Sequence, residues 1–244
     1  MPRGIRAPFD SWDAVKLIAL LLMVIDHSGA FFYTDEWWLR AIGRGTAPVF
    51  LFLGGYASSY RIKKEWVLLA VLMSISDYLL AGHLRTQNIL YTIIACRLIL
   101  GWQERRGPIK KPYEWFIGCI IWLPVTMFLI QYGSLGLLFA LCGYMKRRSD
   151  YYPPQLQQRF WILTFVSYGI FSVAIAGFSP INTLLMSAVL YGVYRLLWQL
   201  ELRNINTTHY PLWLVRLGKL VSYYSGYIYA LHLIALEWVT GIPF

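Results

Sequence analysis

Several ionisable side chains of this chain sit in apolar runs, where hydrocarbon would surround them. Asp26 and His27 follow residues 17–25, a stretch without a single charge. Arg44, Asp77, Arg97, His232 and Glu237 lie in further apolar runs. Each such group costs about 2.5–3.5 kcal/mol to insert into a membrane, which makes each a candidate for function. The chemistry open to them is proton transfer. Histidine is the side chain whose ordinary pKa lies nearest neutrality, and a carboxylate beside it can fix the ring tautomer and raise its basicity. Consecutive helical residues point ~100° apart, so Asp26 can equally serve a neighbouring helix. Bland readings stand beside these. Asp26 can pair with Arg44 and Asp77 with Arg97, His232 can be a packed histidine, and Glu237 can be solvated near the outer interface.

The elements that carry these groups follow from composition. The chain has 244 residues, which suits one domain over 1–244. Hydrophobic residues make up 58% and charged residues 14%, against roughly 25% charged in a soluble protein. Such a chain cannot coat a water-facing surface, so lipid must cover most of it. The net charge of +10 would suggest nucleic acid in a soluble protein. Here the charges fall in short clusters between apolar runs, and no nucleic-acid partner is expected. Cys96, Cys119 and Cys142 all lie in apolar runs and show no disulfide framework or metal spacing. No metal is expected.

A bilayer core of ~30 Å needs ~20 apolar residues in helix. Candidate spans are 14–33, 41–60, 66–82, 87–103, 115–131, 133–146, 160–177, 180–198 and 220–240. The fold expected is an all-α, polytopic helical bundle of about nine spans. Asp10 can cap the first helix with Asp13 as its partner. The third, fifth and sixth spans are short enough to need less tilt or burial by neighbours. Lys/Arg clusters mark cytosolic loops, which places the N-terminus in the cytosol and the C-terminus at the periplasmic side. Arg40 and Arg85 then fall outside. In Gly43-Arg44-Gly45, followed by Pro48, the second span should begin with an irregular turn that aims Arg44 inward.

At these residues the sequence resembles the TraX family of conjugative-transfer membrane proteins, the F-pilin acetylases. The resemblance starts at Asp13-x-x-Lys16 and runs through Leu22-Met23-Val24-Ile25-Asp26-His27. Gly43-Arg44-Gly45-Thr46-Ala47-Pro48-Val49-Phe50 resembles a second family block, and Tyr78-Leu79-x-Ala81-Gly82, Asn88-Ile89-Leu90-Tyr91 and Gly133-Ser134-Leu135-Gly136-Leu137-Leu138 follow in order. Tyr229-Ala230-Leu231-His232-Leu233 is similar to the family's C-terminal histidine motif. Relatives of the family include TrbP-type pilin-maturation proteins and FimB-like proteins of pilus loci. The resemblance implies a multi-pass protein of the bacterial inner membrane that moves an acetyl group from acetyl-CoA to the N-terminal amine of a pilin subunit.

That reaction needs a base, because an α-amine with a pKa near 8 attacks only when neutral. His27 would take its proton, and Asp26 would orient the ring. Arg44, Asn88 and His232 are candidate donors to the oxyanion, and Arg97 and Asp77 are further candidates for the substrate site. Arg61, Lys63 and Lys64, with Arg105 and Arg106, would meet the phosphates of acetyl-CoA on the cytosolic side, although the positive-inside bias alone also explains them. Two other classes compete: a noncatalytic membrane scaffold for pilus assembly, and a proton-coupled transporter in which Asp26, His27, Asp77 and His232 form a relay.

Overall fold

A computed structural model describes residues 8–83, 87–201 and 203–242. Arg85, which enters the topology reading, lies outside these residues. The described chain is helical: α1 (Ser11–Phe31), α2 (Trp37–Gly43), α3 (Thr46–Tyr56), α4 (Lys64–Ala81), α5 (Ile89–Arg106), α6 (Pro112–Leu129), α7 (Gly133–Arg147), α8 (Pro154–Ala176), α9 (Pro180–Trp198), α10 (Leu212–Tyr223) and α11 (Ser225–Thr240). Four of these, α1, α6, α8 and α9, are long and apolar enough to cross a membrane. Their outer faces carry side chains as exposed as Phe128 and Ile181. Apolar surface on this scale has to be covered, and the chain is a membrane protein.

The capping box at the head of α1 forms as its sequence dictates. Asp10 accepts from the Asp13 amide at 2.9 Å, and Asp13 accepts from the Asp10 amide at 3.2 Å. Asp13 then turns its carboxylate to α10, where Lys219 lies at 2.5 Å and the Ser222 hydroxyl donates at 2.6 Å. This ties the first helix to the C-terminal part of the chain.

Two of the expected spans are each broken in two. Span 41–60 becomes α2 and α3, interrupted at Arg44 and Gly45. Span 220–240 becomes α10 and α11, interrupted at Tyr224. The first break has a steric cause. Gly43 lies so close to α1 that a Cβ there would sit 2.2 Å from the Cβ of Asp26, and one on Gly29 would sit 2.8 Å from the Cβ of Leu39. One glycine from each helix lets the backbones meet, and α2 stops where that meeting ends. Backbone groups freed by such a break must be met by protein in a membrane. The Tyr168 hydroxyl does this, donating to the Arg44 carbonyl at 3.0 Å.

The core is the α3–α7 pair. A Cβ on Gly55 would lie 1.7 Å from the Ala140 carbonyl oxygen, and one on Gly143 would lie 2.1 Å from that of Phe52. Small residues that admit such close approach are the usual means of packing helices in lipid. Nearly all of α7 from Gly133 to Met145 is buried, which explains how a 15-residue helix persists at this position. The boundary between α6 and α7 falls at Gln131-Tyr132-Gly133. Tyr132 takes φ 66° and Gly133 φ 48°, and the Gln131 amide bonds the Gln87 carbonyl at 2.7 Å.

Candidate functional site

The site forms where α1, α2 and α11 converge. His27 comes from the last turns of α1 and His232 from the middle of α11, 205 residues apart. Their Nδ1 atoms face each other at 3.4 Å, so one ring donates and the other accepts. The rings are stacked, with centroids 4.9 Å apart and planes inclined by 17°. Tyr229, one turn before His232, lies against His27 at 6.1 Å, and Phe31 closes the other edge at 6.4 Å. His27 is buried and His232 half-buried. The two histidines singled out in the sequence are therefore brought together.

Asp26 faces away from this pair, towards α2. Its carboxylate meets Arg40 at 2.8 Å, and the same guanidinium nitrogen donates to the Asp26 carbonyl at 3.1 Å. The pairing of Asp26 with Arg44 is thus corrected: Arg40, one turn earlier on α2, holds the carboxylate because the contact between Gly43 and Asp26 brings α2 in at that level. Arg44 does turn inward at an irregular break, as expected. Its guanidinium lies 5.8 Å from the Phe178 ring centroid and within electrostatic reach of the Tyr132 side chain. The second carboxylate oxygen of Asp26 and Nε of Arg44 are buried without a hydrogen-bond partner in the protein.

Other candidates are placed elsewhere. Asn88 caps α5, accepting from the Leu90 amide at 3.1 Å and donating to the Ala70 carbonyl at 3.1 Å. Arg97 reaches the far end of α3. It donates to the carbonyls of Gly54 at 3.4 Å and Arg61 at 3.3 Å, and to that of Ser59, with Trp66 at 5.1 Å below it. Both serve backbone groups, Asn88 at the start of α5 and Arg97 at the end of α3, where helix ends leave such groups unpaired, and Arg97 does not pair with Asp77. Asp77 is buried on α4, within electrostatic reach of Tyr229. Glu237, expected in solvent, is buried and accepts from the Ser76 hydroxyl at 3.1 Å. Arg61, Lys63 and Lys64 are exposed around the start of α4. Lys63 lies over Tyr223 at 5.6 Å and Trp66 at 5.9 Å.

Arg40, Tyr132 and Tyr168 contribute to the site and were not singled out by sequence. Arg40 was read as an outer-loop cation. The signal for Tyr132 was its place in the turn Gln131-Tyr132-Gly133, since a non-glycine residue at positive φ tends to mark a constrained position. Among the described residues no group of three or more His, Cys, Asp or Glu could hold a metal ion.

Residues 11–221 match the family described as TraX protein. A protein named Protein TraX from Escherichia coli is 26% identical over 145 residues, covering 57% of each chain. The same holds for Protein TraX of the K12 strain. An uncharacterised protein of Rickettsia prowazekii is 28% identical over 137 residues, covering 54% of each. The chain spans little more than half the length of these curated relatives. No solved structure matches.

Proposed function

From the premise that this chain belongs to the TraX family, we propose that it is an inner-membrane acetyltransferase, moving an acetyl group from acetyl-CoA to the N-terminal amine of a pilin subunit. The observation that carries this reading is the pairing of buried His27 with half-buried His232, close to Asp26 and its partner Arg40. Within the same reading the chain crosses the membrane about nine times, counting α2 with α3 and α10 with α11 as single passes. The N-terminus is then cytosolic and the C-terminus periplasmic. Acetyl-CoA comes from the cytosol and a newly processed pilin presents its amine outside, so the reaction needs a site within the bilayer.

His27 takes the proton of the α-amine. The neutral nitrogen attacks the thioester carbonyl and the C–N bond forms. As the C–S bond breaks, coenzyme A leaves as a thiolate and takes the second N–H proton to become a thiol, while the first proton passes from His27 to water. His232 fixes the tautomer of His27 through the Nδ1 contact. Arg44 and the Tyr132 hydroxyl beside it supply donors for the oxyanion. Asp26 acts through Arg40, holding α2 so that Arg44 faces inward. Arg61, Lys63 and Lys64 attract the phosphates of the donor, and Arg97 holds the loop that carries the first two.

The test is mass spectrometry of the pilin from cells with and without this protein. A pilin heavier by one acetyl group only when the protein is present is the expected result. An identical mass in both would leave the scaffold or the transporter standing.

A further inference from the structure

A slot of about 950 Å³ runs between α8 and α9, and neither histidine lines it. Both of its walls are among the helices able to cross a membrane, so the slot opens onto lipid. Its lining is overwhelmingly apolar, with Ile162, Val166, Ile170 and Leu190 along its length. Gly169 contributes no side chain, and a Cβ there would find only Leu190, at 3.8 Å. Thr183 and Ser187 line one end, where the Ser187 hydroxyl donates to the Thr183 carbonyl at 2.8 Å, and the charge is gathered at the other. Gln158 near the start of α8 and Arg195 in the last turn of α9 both line the slot there, together with Tyr194. Arg195 is exposed and forms no ion pair among the described residues.

We propose that this slot is a specific site for an anionic phospholipid, its acyl chains between α8 and α9 and its headgroup phosphate on Arg195 and Gln158. Volume and charge both point to this occupant. An apolar channel capped by a single cation at membrane depth has the polarity of a phospholipid, and Gln158 adds a neutral donor for phosphate oxygens. A basic residue near an anionic lipid surface attracts it, whereas the apolar length selects against a free phosphate.

The other face of α9 carries the consequence. Val189 and Val193 press on the α2–α3 break, each 3.1 Å from where a Cβ on Gly45 would stand. Phe178, in the turn between α8 and α9, stacks under Arg44. Lipid in the slot therefore sets the position of the wall behind Arg44.

The test is native mass spectrometry of the whole protein released from nanodiscs holding equal amounts of phosphatidylglycerol and phosphatidylcholine. The wild type should retain phosphatidylglycerol in preference, and Arg195→Gln should lower that preference about fivefold. Gly169→Leu, which fills the slot and leaves the cation, should lower retention of the lipid itself. Glycerol phosphate added at the same concentration should not displace it. Equal retention of both lipids by the wild type, or a preference unchanged in both variants, overturns the proposal. Displacement by glycerol phosphate would also overturn it, by reducing the site to a simple phosphate contact.

Discussion

Two arginines from apolar runs, buried Arg97 and half-buried Arg44, do different work. Arg97 spends its guanidinium on the carbonyls of Gly54, Ser59 and Arg61, which the end of α3 and the following loop leave unpaired. Arg44 faces side chains, with Phe178 against its guanidinium and Tyr132 within electrostatic reach, near an Asp26 oxygen that has no hydrogen-bond partner in the protein. Both pay the insertion cost of a charge in a membrane. Only the second sits among groups that could exchange a protein partner for a substrate. An ionisable residue at membrane depth is thus a weak sign of function until its partners are known. Backbone carbonyls point to a cap, and underused side chains point to a site.

Helix α3 joins the two regions, since it begins beside Arg44 and ends on Arg97. Breaking it should therefore remove both at once, the largest effect expected. Gly55→Leu would drive a side chain into the Ala140 carbonyl and should cost more than ~3 kcal/mol, beyond ordinary overpacking. Thermal unfolding in detergent and size-exclusion profiles should show little folded protein. Gly192→Ala, with nothing within 4 Å, should unfold like the wild type. Equal stability of the two variants would mean that the α3–α7 contact does not hold the molecule.

A smaller effect sharpens the contrast at the site. Asp26→Asn takes from Arg40 the carboxylate it faces at 2.8 Å, and Arg40→Gln takes from Asp26 the cation it faces. Each should cost about 3 kcal/mol, as breaking one partner of a buried pair does. The double variant should recover much of that loss in unfolding measurements, because neither charge is then left alone. Recovery should be incomplete, since Arg44 also lies near Asp26. Additive losses would contradict the pairing.

Much of this was legible in the sequence and some was not. The length of the apolar runs foretold α1, α4 to α9 and the break at Gly43-Arg44-Gly45, because span length and glycine placement are local properties. The capping box at Asp10 and Asp13 is equally local. The choice between Arg40 and Arg44 as the partner of Asp26 was not legible. The two lie one turn apart, and only the close approach at Gly29 and Gly43 selects between them. Glu237 was placed in solvent by its depth, whereas the packing of α11 on α4 buries it against Ser76. Asn88 and Arg97 sat at a plausible level for the site, but helix ends claimed them. The approach of His27 and His232 across 205 residues was not legible, because it depends on the packing of α11 on α1.

The central claim is that His27, held by His232, is the base of an acetyl transfer within the membrane. The most direct measurement is acetylation of a purified pilin subunit by this protein in proteoliposomes supplied with acetyl-CoA, comparing wild type with His27→Ala. The account predicts one acetyl group on the pilin α-amine with the wild type. With a His27→Ala protein of unchanged size-exclusion profile, the rate should fall ~10²-fold or more. Equal rates from the two proteins would contradict it.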